Sequence, residues 1–502
     1  MPEYLSPGVY VEEVSSGIKP IEGVGTSTGA FVGKAERGPV KKSVLATNWT
    51  QFRNTFGGFI DNAYLAYAVF QFFNEGGTKC YVVRAAKGTA DKPLKKAEKL
   101  VNDSLTVRAS SEGAWANVVK ETGAKVSGIT VKIADETPAP GASARADYFK
   151  LSVLYQEKGK KEEEVESFDN VTLDETKPEH VAKRIAAKFI EVVDTGNTRP
   201  PNDSYDLDGG ADGAALAPPD WAGASGFIYE FDAVDDINIV AIPDAAGDPQ
   251  VTRDAYTYCQ NRKDCFFVAD SLKQQGPQDV LKFRKDNGFN SSFGALYWPW
   301  IKVSDPLTGG TKLVPPSGAV VGTYSHTDVV RGVHKAPAGI EEGYLNSAAD
   351  VEWFTTKGEH DTLNPIGVNV IRSFPGSGIV IWGARTLSAD PEWRYINVRR
   401  LLLFIEESID EGTQWVVFEP NSPILWGKVK RNITAFLTRV WRDGALFGAT
   451  ADEAFFVKVD AENNPSEVID AGQLIIEVGV APVKPAEFVI IRISQKALGK
   501  AA

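Results

Sequence analysis

Three groups of residues in this 502-residue chain have types and spacings that could do chemistry. The first is the glycine-rich stretch from Gly23 to Lys34. A phosphate loop needs Gly, four residues, then Gly-Lys-Ser/Thr, so that backbone N–H groups ring the phosphates and a hydroxyl holds magnesium. Here Gly29 stands one residue too close to Gly33-Lys34, and Ala35 offers no hydroxyl. The dinucleotide pattern fails as well, because Thr28 occupies the position of its third glycine after Gly23 and Gly25. The second group is Asp244 and Asp270, each closing an apolar run. Carboxylates at strand C-terminal ends are where open α/β sheets build sites, but Asp also opens turns and caps helices without chemistry. The third group is basic: Lys428, Arg431, Arg439 and Arg442. At about 100° per residue they fall within an arc of about 80° on one helix, with Leu425, Val429, Phe436 and Val440 pointing broadly the other way. A basic stripe on a chain of net charge −12 suits a specific acidic partner surface; the same pattern also suits a solvated helix face.

Other chemistry is missing. The four histidines, His180, His326, His334 and His360, form no zinc-binding helix pair, and Cys259 and Cys265 are not in a Cys-x-x-Cys arrangement. No Gly-x-Ser-x-Gly elbow occurs; Ser225 and Ser377 sit among glycines without that spacing. No metal, cofactor or catalytic residue is therefore expected. With 43% hydrophobic and 24% charged residues the chain is globular, which excludes wholesale disorder or a collagen-like repeat. Its length suits about three domains. The acidic balance makes nucleic acid a poor partner. Cys80, Cys259 and Cys265 are too few for a disulfide scaffold and fit a reducing compartment. No apolar run approaches the roughly 18 residues of a membrane span, the densest being Leu401 to Ile405, so no membrane insertion is expected. The opening Met-Pro-Glu-Tyr shows no basic region followed by an apolar stretch, so no secretory signal is expected.

The elements that must position these residues read as a mixed α/β chain. Residues 1–25 form an N-terminal arm: the apolar patch Val9, Tyr10, Val11 is framed by Pro7-Gly8, Gly17 and Pro20. It is either a frayed terminus or an extended segment that pairs with another chain. From Ala30 the pattern becomes strand, helix, glycine stop, strand, with Trp49, Phe52 and Phe56 on one helical face behind Asn48, a second helix from about Asn62 to Gly76, and a strand at Cys80–Arg84. It resumes at Ile237–Ile242, Val251–Arg262, Cys265–Ala269, Gln278–Asn287 and Ala295–Val303, an alternation that favours parallel pairing. Residues 26–89 plus 233–367 are thus a discontinuous α/β domain. Between them, 90–232 reads as an inserted β-rich outer domain, with strands at Thr130–Ile133 and Tyr148–Tyr155, one helix over His180–Val193, and the charge run Lys158–Glu166. Residues 368–502 form a C-terminal α/β domain with a terminal strand-exchange arm. Its expected elements are strands at Val368–Phe374 and Ile379–Trp382, a helix opening at Asp390-Pro391, a strand at Trp415–Phe418 and a long helix over 422–444. Three further strands are expected at Phe455–Val459, Leu474–Val480 and Phe488–Ile493.

Several stretches, in this order, resemble contractile tail sheath proteins. They are Tyr4–Glu13, Gly23–Gly33, Gly76–Arg84, Trp382–Leu387, Tyr395-Ile-Asn-Val-Arg-Arg400, Phe418-Glu-Pro-Asn421 and Gly472–Pro482 with the last strand. The resemblance covers both ends and the α/β middle; 90–232 matches in architecture alone. It implies a structural, non-enzymatic subunit that polymerises helically around an inner tube and contracts to drive the tube through a target envelope. It further implies an α/β core with N- and C-terminal arms that exchange strands between neighbours. Val9, Tyr10, Val11, Leu474, Ile476, Val478, Phe488 and Ile490 are the inter-subunit arm candidates, and Lys428, Arg431, Arg439 and Arg442 the tube contacts. The implied partners are further copies of the chain, the tube protein, and baseplate and terminal cap proteins. The implied setting is the bacterial cytoplasm during assembly, then a mature phage tail or injection particle. The alternative reading is a soluble α/β enzyme with a site near Asp244 and Asp270.

Overall fold

The computed structural model describes residues 20–138, 141, 143, 145–194, 196–490 and 492. Two compact units make up the chain: Ser27–His326 with Pro337–Pro391, and Met1–Thr26 with Thr327–Ala336 and Glu392–Ala502.

The larger unit is built on an eight-stranded sheet. Its strands run in the spatial order Ser43–Ala46, Cys80–Arg84, Gly29–Gly33, Ile239–Ala241, Phe266–Asp270, Gly294–Trp298, Val368–Phe374 and Gly378–Ile381. All pairs are parallel except the two outermost, so antiparallel strands close both edges. Parallel strands are buried on both faces, which is why Gly29–Gly33 and Phe266–Asp270 are buried throughout and apolar up to Asp270, which closes the second. On one face Ala30, Val32, Val240, Phe267 and Leu296 pack against Val251, Ala255 and Tyr258 of the helix Pro249–Arg262 and Val280 and Phe283 of the helix Pro277–Asp286. On the other, Phe31 meets Phe72 edge-on, and Phe266 and Tyr297 meet Tyr324 of the helix Ser317–Arg331. The strands Val368–Phe374 and Gly378–Ile381, read from sequence as the start of the last domain, complete this sheet through the parallel pairing of Leu296 with Val368.

Residues within 90–232 add a five-stranded and a three-stranded sheet with a core of their own, including Leu105, Val107, Ile129, Val131, Leu151 and Val153. The expected helix over His180–Val193 is a single turn, Val181–Arg184, followed by the strand Ile190–Asp194. Tertiary pairing decides this: Ile190, Glu191, Val192 and Val193 are in antiparallel register with Ala109 to Thr106. Arg37 joins this part to the central sheet. Its guanidinium stacks over Phe189, Tyr155 and Trp115 at 4.6, 5.4 and 5.5 Å, and Tyr155 donates its hydroxyl to Glu36 at 3.0 Å.

The smaller unit is organised by two helices, Ile396–Thr413 and Pro423–Arg442. Leu401 and Ile405 of the first share a core with Leu425, Val429, Ile433, Phe436 and Val440 of the second, and with Phe455 and Val457 of a two-stranded sheet. That sheet pairs Phe455–Lys458 with Glu477–Val480. The helix expected from Asp390-Pro391 begins at Ile396, after a 3-10 turn at Pro391–Trp393. The expected strand Trp415–Phe418 is instead a 3-10 turn, Gln414–Val416, running into an irregular segment. Leu474 and Ile476 lie half-buried before the shortened strand, and Phe488 to Ile490 form no strand. A strand needs a partner ladder, and none is offered to these residues within the described chain.

Candidate functional site

Asp244 and Asp270 take up structural tasks in the larger unit. The Asp244 carboxylate accepts the backbone N–H groups of Lys34 and Tyr64, both at 2.6 Å, and so clips the end of the strand Gly29–Gly33 to the start of the helix Leu65–Asn74. Burial pushes this carboxyl up to about 6. Asp270 accepts the N–H of Ser317 at 2.8 Å at the start of a helix, and its burial pushes it up to about 7. Each carboxylate thus satisfies donors at a helix start that would otherwise be orphaned. A cavity of about 490 Å³ in the same unit is lined by Lys34, Glu36, Arg84, Trp115, Tyr155 and Asp212, among others, but by neither aspartate. Among the described residues no three His, Cys, Asp or Glu side chains are grouped to hold a metal ion, and no helix is long and apolar enough to cross a membrane.

The smaller unit carries the basic stripe as the periodicity predicts. On the helix Pro423–Arg442 the residues Leu425, Val429, Ile433, Phe436 and Val440 are buried, while Lys428, Arg431, Arg439 and Arg442 are exposed. The structure therefore brings the four basic candidates onto one solvent face. Arg439 has a second attachment, donating a hydrogen bond to the carbonyl of Ile21.

That bond is one of several that fix the chain where each terminal segment joins the unit. Arg400 forms a two-pronged ion pair with Asp328, its Nη1 lying 2.9 Å from Oδ1, and both side chains are almost wholly buried. Burial raises the Asp328 carboxyl while Arg400 opposes the rise. The same guanidinium donates to the carbonyl of Thr26 at 2.8 Å, and the Ser408 hydroxyl accepts the N–H of Val24 at 3.1 Å. Ile21 itself is buried in the core of the unit. On the other side, Asn397 donates to the carbonyls of His334 at 2.8 Å and Val483 at 3.3 Å, and Tyr395 donates to Glu487 at 3.3 Å. The motif Tyr395-Ile-Asn-Val-Arg-Arg400 is therefore an anchor: the start of the helix Ile396–Thr413 holds Thr26 on one side and Val483 and Glu487 on the other. Sequence reading picked out the motif without its task. Its partners Asp328 and Thr26 are 72 and 374 residues away, and the one available signal was two consecutive arginines inside an apolar helix face.

The arm candidates divide. Val9, Tyr10 and Val11 lie outside the described residues. Leu474, Ile476 and Val478 are half-buried against the core. Phe488 and Ile490 are 71% and 77% exposed just beyond the anchored stretch. Phe447 and Phe456, at 75% and 53%, add to the exposed apolar surface beside the two-stranded sheet. Sequence reading did not mark these two as exposed, nor Phe418 and Ile424, because single apolar residues carry no periodic signal.

The chain matches the model of the phage tail sheath protein central domain over residues 220–387 and that of the phage tail sheath C-terminal domain over 388–496. It is 28% identical over 188 residues to a tail sheath protein of Vibrio phage KVP40, a match that covers 37% of this chain and 27% of the relative. The chain thus spans about a quarter of that curated relative's length. Among solved structures, the sheath complex of the extracellular contractile injection system PVC in its contracted state superposes with a TM-score of 0.62 at 21% identity, covering 99% of both chains. The baseplate structure of the anti-feeding prophage gives a TM-score of 0.56 at 24% identity, covering 98% of this chain and all of that one.

Two measurements test the electrostatics. For Asp244 and Asp270 the folded values lie above the ordinary 3.8. Stability is then fully present below about pH 4 and is lost as pH rises through 6 to 7. Asp270→Asn, which keeps an acceptor oxygen, should raise stability at pH 8 by roughly 4 kcal/mol and change it far less at pH 4. Thermal melts at the two pH values check this, and an equal effect at both would contradict it. For the anchor, Arg400→Ala leaves Asp328 buried without its cation and should cost about 3–5 kcal/mol. Arg400→Met combined with Asp328→Leu should recover most of that loss in chemical denaturation.

Proposed function

The chain belongs to the phage tail sheath family, and from that premise we propose that it is a structural, non-enzymatic subunit of a contractile sheath. In this reading, copies polymerise helically around an inner tube, and contraction drives the tube through a target envelope. The observation that carries it is the anchor in the smaller unit. The helix Ile396–Thr413 and its N-cap Tyr395 fix Val24, Thr26, Val483 and Glu487 by hydrogen bonds, and just past Glu487 the residues Phe488, Val489 and Ile490 stand exposed. Apolar segments leaving a rigid mount without a partner ladder suit strand addition to a neighbouring copy, where main-chain hydrogen bonds supply affinity. A two-stranded sheet is marginal by itself, and the pair Phe455–Lys458 and Glu477–Val480 gains from any strand added to its edge. The arm candidates Val9, Tyr10, Val11, Leu474, Ile476, Val478, Phe488 and Ile490 are assigned to this exchange.

The exposed stripe Lys428, Arg431, Arg439 and Arg442 is assigned to the tube. Exposed ion pairs contribute only about 0–1 kcal/mol each, so no one contact traps the tube, while repetition around every ring sets register. The inserted segment 90–232 faces outward in this reading. Baseplate and terminal cap proteins complete the partner set, assembly occurs in the bacterial cytoplasm, and the energy of contraction is held by a kinetic barrier in the assembled lattice.

Deleting residues 1–17 should leave a folded, soluble protein that no longer forms stable sheaths; normal polymers from the truncated chain, seen by electron microscopy, would sink the arm assignment. Arg431→Glu with Arg439→Glu should permit folding and sheath polymerisation yet impair tube-filled extended particles. Since Arg439 also holds the Ile21 carbonyl, Arg431→Glu with Arg442→Glu serves as the control that spares the anchor. Tube-filled particles at wild-type frequency and salt resistance from both pairs would remove this helix from the tube contact.

A further inference from the structure

The exposed face of the helix Pro423–Arg442 does not end with its charges. Phe418, five residues before the helix, is fully exposed at 102%, and Val417 and Ile424 are 60% and 74% exposed. Phe418 holds φ at +70°, a left-handed conformation that bulky residues rarely adopt. The segment around it is braced. Val417 donates its N–H to the Gln414 carbonyl at 3.2 Å and Glu419 donates to the Val416 carbonyl at 3.0 Å. Asn421 donates its side-chain amide to the Gln473 carbonyl at 2.8 Å and accepts the indole N–H of Trp426 at 2.7 Å. Pro420 and Pro423 fix two more φ angles. A Phe pushed into water on a braced turn is a pre-organised aromatic anchor, the side-chain type that dominates binding energy at interfaces.

Ile424 links this segment to the stripe. At about 100° per residue, Ile424 lies within the same arc of about 80° as Arg431, Arg442, Lys428 and Arg439. From Ile424 to Arg442 the helix rises about 27 Å. Ile424 thus opens the basic stripe on its own face, and the exposed Val417 and Phe418 stand on the braced turn that leads directly into it, an apolar knob ahead of the stripe in the chain. We propose that this knob seats in an apolar socket on the inner tube subunit, next to the carboxylates that meet the stripe. This rests on the assignment of the stripe to the tube and deepens it. Charges alone leave a tube free to slide or to sit reversed, because an acidic strip reads much the same in both directions. A knob at one end of the stripe fixes polarity and axial register, and its apolar contact is not screened by salt.

The test is Phe418→Ser in the full chain, produced with and without the tube protein, beside Phe418→Leu and the charge-reversal pairs. Because Phe418 makes no buried contact, Phe418→Ser should melt at the wild-type temperature. Sheath polymers formed without tube should be unchanged. Tube-filled extended particles should fall at least tenfold when challenged with 1 M salt, where wild type keeps its tubes, and Phe418→Leu should restore them. Wild-type tube retention by Phe418→Ser would overturn the proposal. Loss of sheath polymers in the absence of tube would also overturn it, assigning the knob to a second copy of this chain. If charge reversal spares tube filling while Phe418→Ser abolishes it, the stripe assignment fails and the knob contact stands.

Discussion

The smaller unit depends on one buried ion pair. Arg400 and Asp328 are withdrawn from water together, and the same guanidinium reaches the carbonyl of Thr26. Such a pair adds little net stability over an apolar replacement, because desolvation offsets the attraction. What it does supply is a fixed position. With Arg400 locked, the residues leading to the N-terminal arm have one seat on the helix Ile396–Thr413. One helical turn earlier, Tyr395 and Asn397 seat the C-terminal segment through Glu487 and Val483. Two chain ends separated by more than 450 residues of sequence are thereby mounted on one short piece of backbone.

This mount gives physical content to the proposed lattice. An arm costs about 1–2 kcal/mol per residue in backbone entropy when it becomes ordered, so it orders only where a neighbour supplies a ladder. Tension in such an arm reaches the helix through buried, geometrically strict bonds. The contacts proposed for the tube are of another kind: exposed charges on flexible stems, individually weak. Arg439 belongs to both sets, since it stands in the stripe and also holds the carbonyl of Ile21. Strong mounts between copies and weak, repeated contacts to a guest describe a lattice that can rearrange while staying connected.

Much of the larger unit was legible in the sequence. Continuous apolar runs between turn residues marked the buried strands at Gly29–Gly33, Cys80–Arg84 and Phe266–Asp270, and Asn48 marked a helix start through ordinary capping chemistry. The helix Ser317–Arg331 went unread because it is buried on nearly all sides, with Ser317, Val320, Thr323, Tyr324 and Ser325 all inaccessible, so it shows no amphipathic stripe. The stretch His180–Val193 was misread because its pairing with residues 105–109 outweighs a helical pattern. In the smaller unit the stripe on the helix Pro423–Arg442 was legible from 3.6-residue periodicity alone. The anchor was not, since nothing local links Arg400 to Asp328, and neither was the knob, since the exposure of Phe418 is decided by the fold around it.

Electron microscopy of the purified full-length protein tests the central claim most directly. The account predicts long hollow helical polymers in which residues before 20 and after 487 reach from the anchor of one copy onto the sheet of the next. Monodisperse monomers under all assembly conditions, or polymers whose terminal segments fold back onto their own chain, would contradict it.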